Sequence, residues 1–237
     1  AGNLVVAVAG SLDHDAVLEE VRRRFEDLES GPERMSVTVP QANGARAIHL
    51  GREGSQTHLV VGGAAPTHGD PRRHAVVLLS QALGGGMSSR LFQRVREELG
   101  LAYSVYSFHA FHQVAGVLGV YLGTRPGAVK EAVAVIRAEM ASMAREGLPG
   151  DELQRARAQV QGQLTLALES TGARLHRLAG SALRGEPLLS LDELLARYEA
   201  VTADEVAVVA EELLDPEALT TVSLGPDPTG DVSGVIE

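Results

Sequence analysis

Hydrophobic and polar residues recur at two different periods along this chain, and the changes of period mark its predicted elements. Residues 3–9 form an almost unbroken apolar run, which is typical of a buried strand. After Asp13, a residue type that favours helix caps, apolar residues recur at helical spacing at Val17, Val21 and Phe25. The pattern therefore predicts a β-α unit at the start of the chain.

Residues 31–45 interrupt this periodicity and are the best candidate for a linker. They include the turn-forming pairs Gly31-Pro32 and Asn43-Gly44. We therefore predict a domain boundary here, with residues 1–30 on one side and residues 46–237 on the other. Because the chain opens within a predicted strand, we expect it to be part of a longer protein.

The pattern in residues 46–237 predicts an α+β domain. Short apolar or alternating runs predict strands at residues 47–50, 57–65, 102–111, 114–123 and 219–224. Helical spacing, with capping residues or proline at several starts, predicts helices at residues 71–83, 88–99, 126–147, 149–183, 191–198 and 202–214. We also expect residues 102–123 to form a hairpin, Gly100 to end the short helix in a left-handed conformation, and the 149–183 helix to bend near Gly172.

Composition narrows the range of partners. The chain has 31 acidic and 21 basic residues, a formal net charge of -10. Phosphate binding requires a positive surface, so we expect no nucleic-acid partner. Aromatic residues make up only 3% of the chain, against 44% for all hydrophobic residues, which predicts a core of aliphatic side chains.

The absence of Cys excludes disulfides, thiolate zinc ligands and thiol catalysis. No apolar run approaches the ~20 residues that span a bilayer, so we expect a soluble protein of bacterial type with no membrane partner. The sequence does not distinguish a cytoplasmic from a periplasmic location, because a chain without Cys suits either redox environment.

A glycine-rich segment, Gly84-Gly85-Gly86-Met87-Ser88-Ser89, follows a predicted helix. It is not a P-loop, because that motif needs a preceding strand and a Lys-Ser/Thr pair after the loop. It is not a dinucleotide fingerprint either, because Ser89 occupies the position of the third glycine. Two interpretations remain open: a plain turn between helices, or a loop shaped to approach a ligand backbone.

The sequence contains no recognisable metal or nucleophile site. None of its eight His residues belongs to a His-Glu-x-x-His motif or to the inverted His-x-x-Glu-His motif of zinc peptidases. His109 and His112 form the closest pair, which is interpreted as a surface or packing pair. There is no Gly-x-Ser-x-Gly elbow to activate a serine. Arg90, Arg94 and Arg96 share a short helix with two Glu residues, a pattern typical of a solvated face with intrahelical ion pairs.

Residues 83–105 read LGGGMSSRLFQRVREELGLAYSV. This segment resembles a hallmark of the pitrilysin/insulinase zinc metallopeptidases, in their processing-peptidase-like branch. The likeness continues over residues 3–28, 123–147 and 153–224, so it covers nearly the whole chain. By this resemblance the chain is identified as the zinc-free, C-terminal half of such a peptidase.

The resemblance implies a mixed, largely antiparallel sheet flanked by helices and repeated as similar domains. Two such halves enclose a chamber for unfolded peptides, and one half binds zinc through an inverted His-x-x-Glu-His helix and a downstream Glu. Those ligands have no counterpart here, which implies no metal site in this chain and a zinc-bearing homologous domain or subunit as its partner. On this basis, residues 1–30 are the terminal β-α unit of a preceding homologous domain, 31–45 a linker, and 46–237 the zinc-free domain.

The same resemblance implies the site residues. The zinc-free half supplies an Arg and a Tyr in an Arg-x6-Tyr spacing, which Arg96 and Tyr103 match. Their implied role is catalytic, by hydrogen bonding to substrate in the partner's active site. The segment Gly84, Gly85, Gly86, Met87, Ser88 and Ser89 resembles, in shorter form, a loop that contacts substrate in non-catalytic processing-peptidase subunits.

The expected function is therefore that of a non-catalytic half of a zinc metalloendopeptidase, inactive alone, which binds unfolded peptide together with a zinc-bearing half. One alternative is a stand-alone structural or interaction subunit without peptidase activity, and another is a soluble peptide-binding module with no catalytic complex.

Overall fold

The structure, a computed structural model, describes residues 4–29, 31, 37–40 and 46–226. The helices are α1 (His14–Phe25), α2 (Arg73–Gly84), α3 (Val129–Glu146), α4 (Gly150–Ala167), α5 (Thr171–Arg184), α6 (Leu191–Ala200) and α7 (Ala203–Leu213). The strands are β1 (Arg46–Gly51), β2 (Thr57–Ala65), β3 (Ala102–Phe111), β4 (Gly116–Thr124) and β5 (Thr220–Gly225). A π-helix covers Phe92–Glu98, and short 3₁₀ turns cover Pro126–Ala128 and Pro216–Ala218.

The described strands form one sheet in the order β1-β5-β2-β4-β3. β1 runs parallel to β5, whereas the other neighbouring pairs are antiparallel. The prediction of an α+β fold with a mixed, largely antiparallel sheet is therefore confirmed. β3 and β4 form the predicted hairpin.

The core lies where α2, α3 and α7 pack together against one face of the sheet. Alternate residues of β2 and β4 face these helices, because side chains in a strand point to opposite faces in turn. Leu59 pairs with Leu122 and Val61 with Val120, and all four are fully buried. As the composition predicts, the large core side chains are mainly aliphatic.

Several helix boundaries differ from the prediction, and local hydrogen bonds explain two of these differences. The expected 149–183 helix is divided into α4 and α5, and Ser170 caps α5 by accepting a hydrogen bond from the Ala173 N–H at 3.4 Å. The break thus precedes Gly172, because Ser170 is the N-cap at which α5 begins. Helix α2 starts at Arg73 rather than Pro71, since the Asp70 carboxylate accepts from the Arg72 N–H in a turn before the helix.

The strand predicted at residues 3–9 is not observed. Residue 3 lies outside the described residues, and residues 4–9 form no ladder with any described strand. An apolar pattern alone does not make a strand, because a strand also needs a hydrogen-bonded neighbour. Of the predicted linker 31–45, residues 31 and 37–40 are described and carry no regular secondary structure, and the rest lies outside the described residues.

The described residues cluster into two compact units. The first unit comprises described residues from Ala1–Thr38 and Gln161–Ala196, and the second comprises those from Val39–Val160 and Arg197–Glu237. The sheet and all buried residues of the described chain belong to the second unit. No helix among the described residues has the length and apolar character needed to cross a membrane.

Candidate functional site

Arg96 lies in a π-helix, a rare geometry that recurs at functional sites. The wider turn appears in the hydrogen bond from the Leu99 N–H to the Arg94 carbonyl, which spans five residues and measures 3.2 Å. The helix ends at Gly100, whose φ of 58° is left-handed as the sequence predicted. Gly100 thus turns the chain from the helix towards β3.

Tyr103 lies at a second irregularity, a β-bulge at the start of β3. Ala102 pairs with Thr124 and Ser104 pairs with Gly123, so Tyr103 has no opposite residue on β4. A bulge re-aims the extra side chain and is common beside active sites. Tyr103 is 80% exposed, although it belongs to a strand of the main sheet.

The two irregularities bring Arg96 and Tyr103 into contact. The Arg96 guanidinium carbon lies 4.8 Å from the Tyr103 ring centre and 4.7 Å from the Phe92 ring centre. Both distances fall within the range of cation–π attraction. Arg96 and Tyr103, which the resemblance relates by their spacing, therefore contact each other in the structure, and Phe92 supports this contact.

The arginines on this helix differ in how their N–H groups are used. Arg94 donates to Glu98 one turn away, and Arg90 donates to Glu152 of α4 at 2.9 Å. The Arg96 guanidinium donates no hydrogen bond to a described residue, and its ion pair with Glu97 measures 3.6 Å. The interpretation as a face of intrahelical pairs thus suits Arg94, whereas Arg90 pairs with another helix and Arg96 retains its donors.

The glycines of the 84–89 segment permit close packing. A Cβ on Gly84 would lie 2.4 Å from the backbone nitrogen of Ser107, so α2 approaches β3 here as only glycine allows. A Cβ on Gly85 would lie 2.5 Å from the Gln81 amide, and one on Gly86 would lie 2.4 Å from the Gln159 amide nitrogen. Glycine in this segment therefore serves the packing of α2, β3 and α4.

The exposed part of the segment is narrow. Met87 is 75% exposed and Ser88 is exposed as well, whereas Ser89 is buried. The Ser89 hydroxyl donates to the Gly86 carbonyl at 2.6 Å, which closes the turn. The Gln93 amide donates to the Met87 carbonyl at 2.7 Å, so the π-helix that carries Arg96 also holds this turn.

Beneath the turn is a polar cavity of about 20 Å³, lined in part by Gln81, Ser88, Arg90 and Gln159. That volume corresponds to about one water molecule. A peptide side chain does not fit into it. The part of this segment that is open to a ligand is therefore its outer surface at Met87 and Ser88.

The described residues contain no group of three His, Asp or Glu side chains placed to hold a metal ion. The ring of His109 lies 5.2 Å from the ring of Phe111, and the backbone N–H of His112 donates to the Ala115 carbonyl. These contacts agree with a packing pair in the hairpin.

Two contributors to the site were missed from the sequence, Phe92 and Gln93. Phe92 precedes Arg96 by one helical turn, and residues four apart on a helix face each other. That spacing was a usable signal for Phe92. The hydrogen bond from Gln93 to Met87 had none, because it depends on how the turn folds back onto the helix.

Comparison with known proteins gives a consistent result. The profile of a family described as the peptidase M16 inactive domain matches residues 1–160. An uncharacterized zinc protease of Streptomyces coelicolor is 42% identical over 90% of this chain and 48% of its own length. An uncharacterized zinc protease of Bacillus subtilis is 32% identical over 93% of this chain and 54% of its own length.

A solved structure supports the same relationship. The crystal structure of a peptidase M16 inactive domain from Pseudomonas fluorescens superposes with a TM-score of 0.83 and 26% identity, over 92% of this chain and 52% of that one. The chain thus spans about half the length of the curated relatives it matches.

Proposed function

This chain belongs to the peptidase M16 inactive domain family, and on that premise we propose that it is the non-catalytic half of a zinc metalloendopeptidase. It binds unfolded peptide together with a zinc-bearing homologous half and supplies hydrogen-bond donors to the reaction there. It is inactive alone. The proposal assigns residues 1–30 to the end of a preceding homologous domain, 31–45 to a linker and 46–237 to the zinc-free domain.

The observation that carries the proposal is the stacked guanidinium of Arg96. Ring contacts with Phe92 and Tyr103 hold the side chain in place without engaging its N–H groups. A guanidinium fixed in this way is a preorganised donor for a carbonyl oxygen. Its ion pair with Glu97 is long, at 3.6 Å, and forms no hydrogen bond, whereas the Arg94 guanidinium is hydrogen-bonded to Glu98.

The chemistry of peptide hydrolysis makes use of such donors. Attack on the peptide carbonyl places negative charge on its oxygen, and fixed N–H and O–H groups near that oxygen lower the barrier. Arg96 provides N–H donors and the exposed Tyr103 provides an O–H donor. The general base, like the metal, belongs to the partner half.

We assign substrate contact in the 84–89 segment to Met87 and Ser88. They are its exposed residues, and the Gln93 hydrogen bond ties them to the helix of Arg96. Gly84, Gly85, Gly86 and Ser89 shape and anchor this turn.

The test uses two separately produced polypeptides: this chain, and the complementary half, defined as the part of the Streptomyces coelicolor relative outside the match. We expect the mixture to hydrolyse denatured casein and each component alone to be inactive. Arg96→Ala and Tyr103→Phe should each lower the rate by about 10²- to 10³-fold, the usual cost of one lost transition-state donor.

Arg94→Ala is the matched control. It removes a guanidinium from the same helix, but one already bound to Glu98, and should leave the rate within about twofold of wild type. A stable complex without hydrolysis would instead support the structural subunit. If Arg96→Ala and Tyr103→Phe leave hydrolysis unchanged, the roles given to them are wrong.

A further inference from the structure

The small cavity beneath the turn of residues 84–89 has a polar lining that the described residues do not satisfy. Gln81 lines this cavity and is only 9% exposed, and its amide nitrogen makes no hydrogen bond to any described residue. A buried donor without an acceptor costs free energy, and nearly all such groups in folded proteins have a partner. The acceptor for Gln81 therefore belongs in the cavity.

Two further groups of the lining have hydrogen-bonding capacity to spare. The Gln159 amide of α4 and the Ser88 hydroxyl of the turn make no hydrogen bond within the described part of the chain. Arg90 and Glu152 also line the cavity, but they are already bonded to each other at 2.9 Å. The groups with spare capacity thus come from three parts of the fold, which are α2, the turn and α4.

The two glutamine amides lie directly against the backbone of the turn. A Cβ on Gly85 would lie 2.5 Å from the Gln81 amide, and a Cβ on Gly86 would lie 2.4 Å from the Gln159 amide nitrogen. Both approaches are closer than any residue other than glycine would permit. Amide groups from α2 and α4 thus meet the turn at consecutive residues, beside the cavity.

The volume and the lining together select the ligand. A cavity of about 20 Å³ accommodates one water molecule, which requires about 10–15 Å³. Water both donates and accepts, so it accepts from the Gln81 N–H and donates to an oxygen of Gln159 or Ser88. Buried waters typically make about three hydrogen bonds of this kind. A metal ion would leave the Gln81 N–H without an acceptor.

We propose that this cavity binds one ordered water molecule, and that Gln81 and Gln159 are positioning residues that hold the turn at Met87 and Ser88 through that water. The effect on substrate rests on the proposed function, whereas the water site itself does not. The Gln93 amide already fixes the Met87 carbonyl from the side of the π-helix, at 2.7 Å. The water connects Ser88 to α2 and α4, so the exposed turn is fixed from both sides before a peptide binds. Preorganisation of this kind lowers the cost of ordering on binding.

The first arm of the test is a crystal structure of this chain. We expect one water within about 3.2 Å of the Gln81 amide nitrogen and of Gln159 or Ser88. Gln81→Met keeps the approximate size of the side chain but removes the amide, so this water should be lost and the turn at Met87 and Ser88 should be displaced or less ordered. A wild-type cavity that holds no water, or an ion instead, overturns the proposal. An unchanged turn in a variant that has lost the water overturns it as well.

The second arm measures hydrolysis of denatured casein by the mixture of this chain with the complementary half. Gln81→Met and Gln159→Met should each raise KM by about three- to tenfold, the equivalent of one net hydrogen bond, and leave kcat nearly unchanged. Such a split indicates lost binding. Unfolding of a fraction of the protein would instead lower kcat and leave KM unchanged.

Gln154→Met is the matched control. It makes the same change on α4, but at an exposed residue that does not line the cavity, and should leave KM within about twofold of wild type. Gln81→Asn retains an amide beside the cavity, so it should give a KM closer to wild type than Gln81→Met does.

The two arms separate this inference from the proposed function. Absence of hydrolysis in the wild-type mixture contradicts the proposed function, while the crystal structures still decide whether the water and the turn depend on Gln81. Hydrolysis with an unchanged KM in both Gln81→Met and Gln159→Met overturns the positioning role and leaves the proposed function standing.

Discussion

The Arg96 guanidinium carbon lies 4.8 Å from the centre of the Tyr103 ring, across a helix end, a left-handed glycine and a β-bulge. Each of these local irregularities changes the direction of the chain between the two residues. A regular α-helix followed by a regular strand would direct the two side chains differently. The contact therefore depends on backbone geometry as much as on the two side chains.

The glycine at this turn gives the first prediction. Gly100→Ala should lower the free energy of unfolding by about 1–2 kcal/mol, because φ of 58° brings a Cβ close to the following carbonyl. Apart from Gly100 itself and its two chain neighbours, no described residue has an atom within 4 Å of the added Cβ, so the cost is conformational rather than a clash with a distant part of the chain. Gly100→Asn should lose less, since Asn tolerates this region better. Urea denaturation measures the free energy of unfolding of the wild type and both variants. Equal losses of stability in Gly100→Ala and Gly100→Asn would contradict the explanation.

The close contact between α2 and β3 gives the second prediction. Gly84→Ala should destabilise the protein by about 1–3 kcal/mol, because the new methyl group meets the backbone of Ser107 rather than a movable side chain. Gly162→Ala is the control within a helix. Its Cβ meets nothing within 4 Å, so it should stabilise by roughly 0.5–1 kcal/mol. Urea denaturation of both variants tests the pair, and a neutral Gly84→Ala would show that the helix and strand can separate at little cost.

Local patterns predicted most of the elements of the fold. The helix predicted from residue 202 starts at a capping box formed by Thr202 and Glu205, and such a start is locally readable because both partners lie within one turn. The left-handed Gly100 was predictable for the same reason. Neither depends on distant parts of the chain.

Contacts between distant segments could not be predicted in this way. The amide of Gln159 lies against Gly86, and Arg90 pairs with Glu152, although nothing in local periodicity links these positions. The π-helix and the bulge at Tyr103 were also missed, since each adds one residue to a regular repeat and leaves the hydrophobic pattern almost unchanged. The pair Arg96 and Tyr103 was predicted from a motif, and the spacing of Phe92 and Arg96 was a usable signal, whereas the hydrogen bond from Gln93 to Met87 required the structure.

Metal content provides the third prediction. The family profile describes an inactive domain, and the described residues contain no three-ligand cluster of His, Asp and Glu. Structural and catalytic zinc sites use at least about three protein ligands. We therefore expect the purified chain to retain far less than one equivalent of zinc after dialysis against zinc. Elemental analysis measures the zinc content. Stoichiometric zinc would contradict the proposed division between a zinc-free and a zinc-bearing half.

The last prediction concerns His74, which is buried in α2. Its Nδ1–H donates to the Pro71 carbonyl at 3.0 Å, and its ring meets the Tyr198 ring edge-on at 5.2 Å. Burial lowers the pKa of His74 below its ordinary value of 6.5, and the nearby Arg73 and Arg197 act in the same direction. As the pH falls below about 6.5, the unfolded chain therefore binds a proton that the folded chain resists. The free energy of unfolding should decrease until the pH passes below the pKa of folded His74.

His74→Phe tests this linkage, because phenylalanine keeps a buried ring and cannot be protonated. The variant loses the hydrogen bond to Pro71 and should be less stable near neutral pH. It should also lose less stability than wild type when the pH is lowered from about 7.5 to about 5.5. A part of the pH dependence should remain, since burial also lowers the pKa of His109. Urea denaturation at both pH values gives the loss of stability for each protein. An equal loss in wild type and His74→Phe would show that His74 is protonated in the folded state as readily as in the unfolded state.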